Sequence, residues 1–315
     1  MIPVIVITGF LGAGKTTLLK RLLSDPDYAD SAVIINEYGD IALDHELLAS
    51  SDETFVTTST GCLCCLLRSD LAETLATLHA QHAGRYRRVI IETSGLADPA
   101  PILHALMTEA GPHALSAVVT LVDALRPEAL THPEAERQVR LADRLVITKP
   151  DLAPSAALRA TLATLNPAAP VLEAAHGAIP AAWLLAPAPA MREWLDTTAR
   201  HSDGLASIVI QRDTPLPGLA LTLWLEGLAE HLGARLLRLK GIVQIAESPQ
   251  PMVIHAIGHV LHPPQWLDAP APQSLAAPAP TRIVLITQHV PQWWPLRLLS
   301  AIEEEVRSAQ RLGDD

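Results

Sequence analysis

The chain has 315 residues, of which 49% are hydrophobic and 18% are charged, and its formal net charge is -11. This balance favours folded domains, and the length predicts one large domain and one smaller domain. The acidic charge and the absence of basic clusters argue against nucleic acid or an anionic membrane as partners. The apolar start at residues 2–7 is too short for a signal peptide, and no run reaches membrane-spanning length. We therefore expect a cytoplasmic protein.

Short apolar runs alternate with segments of helical periodicity along the first half of the chain. The pattern predicts strands at residues 4–8, 32–36, 89–92, 117–123, 145–148 and 170–173. It predicts helices from residue 15 and over residues 70–82, 134–142 and 154–165. The strands are continuously apolar, as in a parallel sheet that is covered by helices on both faces. The order predicts a doubly wound, mostly parallel α/β domain.

The pattern changes after a stretch rich in Pro and Ala around residues 185–204, within which we place a linker at 191–204. Further strands are predicted at residues 207–211, 235–245, 252–257 and 282–287. Helices are predicted at 219–231 and from residue 294, and a long loop at 263–280. These elements indicate a smaller C-terminal α+β domain. The predicted domains are residues 1–190 and 205–315.

The first chemical motif is Gly9-Phe-Leu-Gly-Ala-Gly-Lys15-Thr16, which follows an apolar strand and opens a helix. It matches the phosphate-binding pattern G-x-x-x-x-G-K-[ST], in which backbone N–H groups turn toward phosphate. Lys15 would neutralise phosphate oxygens and Thr16 would be a ligand of Mg²⁺. Lys15 is also one of only four lysines in the chain. The predicted nucleotide contacts are Gly9, Gly12, Ala13, Gly14, Lys15, Thr16 and Thr17.

Two further motifs follow predicted strands. Glu92 ends a strand at the edge where such sheets bind ligands, which suits a Walker B acid, although an ordinary acidic strand end is the alternative. Thr148-Lys-Pro-Asp151 resembles the guanine-binding N-K-x-D motif, and Asp151 could accept from the guanine N1–H and amino group. Lys149 completes this predicted guanine set. Because Thr148 stands where Asn is common, we expect the loss of one hydrogen bond, about 0.5–1.5 kcal/mol.

All three cysteines lie in the segment Gly61-Cys62-Leu-Cys64-Cys65. Three thiolates fill most of a tetrahedron and suit Zn²⁺, Co²⁺ or a similar divalent ion, which leaves one position for water, another side chain or a recipient protein. The odd number of cysteines in a chain of this size argues against disulfides. The alternative is that all three are small buried hydrophobic residues.

Together, GFLGAGKTT at 9–17, NEYGDIALD at 36–44, GCLCC at 61–65, ETSGLADP at 92–99 and TKPD at 148–151 closely resemble the CobW family of P-loop GTPases. Residues 239–241 and 253–262 are similar to the C-terminal module of that family, so the resemblance covers essentially the whole chain. It implies a slow GTPase that handles zinc, cobalt or iron as a metallochaperone. It also implies that residues 36–39 form a switch that senses the γ-phosphate.

The resemblance gives Glu37 two candidate tasks. Glu37 could orient water beside the nucleotide, which makes it a catalytic candidate with Lys15 and Glu92, or it could join the three cysteines as a ligand of the transported metal. The alternative is a solvated loop acid.

A second group of candidate metal ligands lies in the C-terminal half. His255, His259 and His262 fall within one short segment, where a metal site competes with ordinary packing or surface roles. The β-branched residues around His255 favour a strand there.

Two other functions stay open. A P-loop kinase or other phosphotransferase would explain Lys15 and Thr16, but it would leave Lys149, Asp151 and the cysteines unexplained. A regulatory GTPase that senses a metal without delivering it would use every motif. The expected cofactors are GTP, Mg²⁺ and Zn²⁺ or another divalent transition metal, and the expected partner is a client metalloenzyme. The motifs leave the metal, the client and the oligomeric state open.

Overall fold

The computed structural model describes residues 1–36, 56–57, 63–66, 71–108, 111–186, 205–258, 260–266 and 280–313. The chain divides into two compact units, Met1–Arg192 and Glu193–Asp315. The linker predicted at 191–204 lies outside the described residues, so the proposed domain limits stay predictions. Within the described part of the chain, no helix is both long enough and apolar enough to cross a membrane.

A single, mostly parallel sheet organises the first unit. Its strands are β1 (Ile2–Gly9), β2 (Ser31–Asn36), β3 (Val56–Thr57), β4 (Leu63–Leu66), β5 (Arg88–Thr93), β6 (His113–Asp123), β7 (Arg144–Thr148) and β8 (Val171–Ala174). They lie in the order β3-β4-β2-β5-β1-β6-β7-β8. All neighbours run parallel except β3, which is antiparallel to β4.

Helices cover both faces of this sheet. They are α1 (Lys15–Ser24), α2 (Leu71–His82), α3 (Ala100–Thr108), α4 (Pro133–Arg140), α5 (Ala156–Leu165) and α6 (Ala181–Leu185). Because side chains alternate along a strand, Val146 joins the core beneath α1, whereas Ile147 joins the core beneath α5. Each such side chain, when fully buried, contributes roughly 1.5–3 kcal/mol to folding. The predicted doubly wound α/β fold is confirmed.

The second unit is an antiparallel sheet with two helices. Its strands are β9 (Leu205–Arg212), β10 (Leu236–Val243), β11 (Met252–Ile257), β12 (Val260–Leu261), β13 (Gln265–Trp266) and β14 (Thr281–Gln288), and its helices are α7 (Gly218–Leu232) and α8 (Trp293–Gly313). The sheet order is β12-β11-β10-β14-β9, and β13 pairs with β11. Trp224 of α7 is fully buried, and its indole Nε1–H donates to the Pro295 carbonyl at 2.9 Å. The predicted C-terminal α+β domain is confirmed.

Several elements differ from the sequence prediction. The strands β3, β4 and β12 and the helix α3 were not predicted, and the predicted loop at 263–280 contains β13. Helix α3 has Pro101 in its first turn, where proline is tolerated because the N–H group of that turn has no partner within the helix. Asp98 Oδ1 accepts a hydrogen bond from the N–H of Ala100, the first residue of the helix, at 3.0 Å. His255 lies in β11, as its β-branched neighbours predicted.

Candidate functional site

The carboxyl ends of neighbouring parallel strands meet at one edge of the first sheet. The phosphate-binding motif follows β1, Glu92 lies near the end of β5, and Thr148 ends β7. In open α/β sheets, ligands bind outside this edge. The sheet order therefore brings three of the predicted motifs to one side of the molecule, with β1 between β5 and β6.

Glycine is required at three points of the loop after β1. Gly9, Gly12 and Gly14 have φ values of +149°, +78° and +93°. A Cβ atom on Gly9 would lie 2.5 Å from the Leu121 carbonyl oxygen on β6, so any side chain there would collide with backbone. The loop closes with the Ala13 N–H donating to the Phe10 carbonyl at 3.1 Å. The loop thus depends on backbone conformations that glycine adopts readily.

Lys15 folds back over this loop at the start of α1. Its Nζ donates to the Gly9 carbonyl at 2.8 Å and to the Phe10 carbonyl at 3.4 Å, and its side chain is buried. Gly14 precedes α1 without a side-chain cap, and the first turn carries no acidic residue. The backbone N–H groups and the positive end of the helix dipole are therefore suited to an anion.

The predicted phosphate-binding residues lie together in this loop and the first turn of α1. Thr16 is half-buried and Thr17 is exposed. The hydroxyl of Thr16 is an oxygen ligand of the kind that Mg²⁺ takes. The predicted residues that the structure groups here are Gly9, Gly12, Ala13, Gly14, Lys15, Thr16 and Thr17.

Glu92 lies beside the strand that leads into the phosphate-binding loop. It is 1% exposed, and in the register of the sheet it pairs with Ile7 of β1 and Ile35 of β2. The next residue, Thr93, donates its hydroxyl to Thr8 Oγ1 at 2.7 Å. A buried carboxylate next to a phosphate site can hold a divalent ion or its water.

The loop that follows β5 contacts the phosphate-binding loop directly. A Cβ atom on Gly95 would lie 2.8 Å from Leu11 Cδ2 and 2.9 Å from the Leu11 amide nitrogen. Only a residue without a side chain permits this approach. The segment after Glu92 is therefore held against the phosphate-binding loop.

Thr148 and Lys149 connect the end of β7 to the same loop. The Thr148 hydroxyl donates to the Ala13 carbonyl at 2.9 Å, with the Val122 carbonyl at 3.3 Å. Lys149, at φ +55°, donates to the Gly12 carbonyl at 3.0 Å and forms an ion pair with Asp123. The threonine that replaces the usual Asn thus holds the phosphate-binding loop. The sequence analysis did not identify Asp123 as a site residue, although it ends an apolar strand in the same way as Glu92 does.

Asp151 has a histidine partner from the loop after the next strand, β8. His176 Nε2 lies 3.7 Å from Asp151 Oδ2, and the imidazole is largely exposed. The loop after β8 carries His176 at φ +50° and Gly177 at φ +71°. A Cβ atom on Gly177 would lie 3.1 Å from Leu18 Cα, so the loop packs on α1. The sequence analysis did not identify His176 either. The available signal was a His-Gly pair directly after a strand, because both residue types tolerate the positive φ of a tight loop.

The cysteine motif is described only in part. Cys64 and Cys65 belong to the backbone of β4, where their Cα partners on β2 are Val33 and Ile34. Cys62 and Glu37 lie outside the described residues. Among the residues that the structure does describe, no group of three or more His, Cys, Asp or Glu side chains could hold a metal ion.

The C-terminal histidines form a pair in the described structure. The rings of His255 and His262 stack with centroids 5.6 Å apart, and the His262 N–H donates to the His255 carbonyl at 2.8 Å. Burial lowers the pKa of His262. His259 lies outside the described residues. The described pair supplies two imidazoles, whereas a catalytic zinc site typically has three protein ligands.

Two curated proteins resemble the chain along most of its length. The zinc chaperone YjiA of Escherichia coli (strain K12) is 32% identical over 273 residues, which span 81% of this chain and 86% of that protein. The zinc chaperone CobW of Pseudomonas aeruginosa is 29% identical over an alignment of 357 positions, which spans 98% of this chain and 91% of that protein.

Family models and a solved structure agree with these relatives. The model described as "CobW/HypB/UreG, nucleotide-binding domain" matches residues 3–173, and that of the "Cobalamin synthesis protein cobW C-terminal domain" matches residues 205–303. The crystal structure of the Zn(II)-bound YjiA GTPase from E. coli has a TM-score of 0.75 at 28% identity, over 96% of this chain and 98% of that chain. The chain therefore belongs to the CobW family of P-loop GTPases.

Proposed function

We propose that this GTPase is a metallochaperone that binds a divalent transition metal through Cys62, Cys64 and Cys65 and delivers it to a client metalloenzyme. The observation that carries the proposal is the position of β4, whose backbone includes Cys64 and Cys65. Strand β4 pairs with β2, and β2 pairs with β5, the strand of Glu92. The names of the zinc chaperones YjiA and CobW favour zinc as the metal.

The nucleotide half of the proposal assigns each residue a task. Lys15 and the N–H groups of the loop hold the β- and γ-phosphates. Thr16 and Glu92 offer oxygen ligands for Mg²⁺, which when bound would neutralise charge on the phosphates. Glu92 and Glu37 are the candidates for orienting the attacking water.

The guanine half of the site is proposed at Asp151. Its carboxylate can accept from both guanine N–H groups, and adenine has no amino group at the corresponding position. Lys149 supports this end of the site through its contacts with Gly12 and Asp123. GTP is therefore preferred over ATP, and Asp151→Ala should remove most of this preference in a competition titration.

The metal half is proposed to respond to the nucleotide. With GTP and Mg²⁺ bound, residues 36–39 would respond to the γ-phosphate and help to bring the three thiolates into ligand geometry, and hydrolysis would let the metal leave. Glu37 is a further candidate ligand of the transported metal. Thiolates stay available for metal in a reducing compartment, which agrees with a cytoplasmic location.

A competition titration of Zn²⁺, Co²⁺ and Fe²⁺ tests the proposal, with GTP-γ-S and with GDP as the bound nucleotide. We expect tighter metal binding with GTP-γ-S, and weaker binding with either nucleotide in Cys64→Ala. Lys15→Ala should keep metal binding but lose its dependence on nucleotide. Equal metal affinity with both nucleotides in the wild-type protein would contradict the proposed coupling.

A transfer assay separates delivery from sensing. A chaperone should transfer its metal to an apo-enzyme client in a step that requires GTP hydrolysis. A regulatory GTPase that only senses metal would bind it with the same nucleotide dependence but transfer none. Transfer that proceeds equally well with GTP-γ-S would argue against hydrolysis as the release step.

A further inference from the structure

Gln138 of α4 holds the loop that follows β5. Its Nε2 donates to the Gly95 carbonyl at 3.1 Å and to the Ala97 carbonyl at 3.0 Å. The side chain is fully buried. Because both partners are carbonyl acceptors, the amide must present its NH₂ group to the loop, which settles the orientation of the amide.

Other contacts fix α4 relative to this loop. The Thr120 hydroxyl of β6 donates to the Gln138 carbonyl at 2.8 Å. Arg137 Nη1 forms an ion pair with Asp98 Oδ2 at 3.1 Å, and Asp98 also accepts from the first N–H of α3. Helix α4 is thus attached to the sheet on one side and to the loop after β5 on the other.

The residue just before the same helix contacts the phosphate-binding loop. His132, which precedes α4, stacks on Phe10 with ring centroids 4.8 Å apart and an interplanar angle of 18°. The loop after β5 approaches Leu11 at Gly95, as described above. Helix α4 therefore bridges the two loops that flank the end of β1.

The sheet order indicates which end of the nucleotide this bridge faces. Asp151 follows β7, and the phosphate-binding loop follows β1, so a nucleotide in the proposed site would run from β7 across β6 toward β1. Strand β5 lies on the far side of β1. The loop after β5 would therefore be next to the terminal phosphate, which GTP has and GDP lacks.

We propose that Gln138 is a positioning residue for GTP hydrolysis: it fixes the carbonyls of Gly95 and Ala97 so that the loop after Glu92 meets the γ-phosphate. Gln138 does not touch the nucleotide itself. The inference rests on the proposed nucleotide site. It predicts that loss of the amide affects GTP, which reaches this loop, and spares GDP, which does not.

The substitution Gln138→Met tests this idea, since it keeps the volume of the side chain and removes both donors. We expect GTP-γ-S affinity to fall about fivefold, the effect of roughly one hydrogen bond, while GDP affinity stays within about twofold. The kcat for GTP hydrolysis should fall by about tenfold to a hundredfold, because a displaced catalytic loop is costly. Gln138→Leu, which is also apolar and donates no hydrogen bond to the carbonyls, should behave alike.

Val139→Ala is the matched control for lost stability. Val139 is the next residue of α4, is equally buried and packs in the core beneath α5. This variant should lower the melting temperature and leave both kcat and the ratio of GTP-γ-S to GDP affinity near the wild-type values. A structural role alone would make Gln138→Met resemble Val139→Ala.

Amide hydrogen exchange over residues 94–99 gives a direct readout. In the wild-type protein, GTP-γ-S should protect this segment more than GDP does, and in Gln138→Met and Gln138→Leu the difference should disappear. If either folded variant keeps the wild-type kcat and affinity ratio, the inference is overturned.

Lys15→Ala separates failure of this inference from failure of the proposed site. If Lys15→Ala still binds both nucleotides like the wild type, the proposed nucleotide site is wrong. If Lys15→Ala loses binding while the Gln138 variants behave like Val139→Ala, only the positioning role is wrong.

Discussion

Three side chains of the first unit satisfy the carbonyl groups of the phosphate-binding loop. Lys15 binds the Gly9 carbonyl, Lys149 binds the Gly12 carbonyl, and Thr148 binds the Ala13 carbonyl. The bonds to Gly9 and Ala13 are buried, where an unpaired carbonyl would cost about 1–3 kcal/mol. With these three carbonyls engaged by protein, N–H groups of the loop other than that of Ala13, which donates to Phe10, can face the phosphates.

The hydroxyl of Thr148 can be tested without changing the shape of its side chain. Thr148→Val removes the donor to the Ala13 carbonyl, so we expect GTP affinity to fall by roughly twofold to tenfold, the equivalent of 0.5–1.5 kcal/mol. Thr148→Ser keeps a hydroxyl and should stay close to the wild type. Isothermal titration calorimetry measures both. Equal affinity for the valine variant would show that the hydroxyl does not organise the loop.

The half-buried His262 predicts a pH dependence of stability. Its pKa in the folded protein is lowered by burial, whereas the unfolded chain has a value of about 6.5. Between these values only the unfolded chain takes up a proton, so the free energy of unfolding should decrease as pH falls below about 6.5. The stability that neutral His262 contributes is fully present above about pH 6.5 and is lost as the pH falls through the pKa of His262 in the folded protein.

Urea unfolding at pH 7.5 and pH 5.5 measures the effect of His262. The difference in unfolding free energy between the two pH values should be smaller in His262→Phe, which keeps an aromatic ring to stack on His255 and cannot titrate. An identical pH difference in the variant would show that His262 makes no contribution.

At the scale of elements, the pattern of apolar residues predicted most of the sheet and its helices. Runs such as Val4–Ile7 are apolar because helices cover both faces, and this burial is visible in the sequence. Strands β3 and β4 are too short for such a pattern, and Pro101 obscures α3. Structure was needed to recognise that 63–66 forms a strand.

The candidate site was predictable only where the signal is local. The phosphate-binding loop is recognisable from one short segment. The contacts of Asp123, Gln138 and His176 are with residues that are far away in sequence but adjacent in space, such as Gln138 and Gly95. Their contacts depend on which strands are neighbours, and no short pattern encodes this.

Because β1 and β6 approach each other closely at Gly9, we expect that adding a single methyl group there abolishes GTP binding. In Gly9→Ala, the new Cβ would collide with the Leu121 carbonyl at 2.5 Å, so the strands must separate or the loop must change. We expect loss of GTP binding and a strain cost of about 1–3 kcal/mol.

Gly84→Ala is a matched control for Gly9→Ala. Gly84 has φ +82°, and a Cβ there would meet no atom within 4 Å. This variant should show the strain of a positive φ as a lower melting temperature and still bind GTP like the wild type. Loss of binding in both variants would point to unfolding as the cause.

At the scale of the whole molecule, the two units have separate cores. The main hydrophobic cluster of the second unit is formed by buried residues from positions 206–299, including Trp224 and Leu285. We predict that residues 205–315 fold as an isolated domain with a cooperative thermal transition. Circular dichroism on that fragment is the measurement, and the absence of a transition would show that the domain depends on the rest of the chain.

Coupling between the proposed GTP and metal sites must be reciprocal. If GTP-γ-S raises zinc affinity by some factor, zinc must raise GTP-γ-S affinity by the same factor, and typical values are about 5-fold to 150-fold. Titrating each ligand with and without the other measures both factors. Unequal factors would indicate that a third event, such as association of two chains, contributes.

The order of the sheet limits how those two sites can communicate. Strand β4 is three positions from β1, which at about 4.8 Å per strand is about 14 Å. Metal–ligand bonds are only about 2.0–2.6 Å long, so an ion on Thr16 and an ion on Cys64 and Cys65 would be two separate ions. The signal between them would then be a displacement of backbone. The rate of metal release could not exceed the microsecond-to-millisecond rate of such motions.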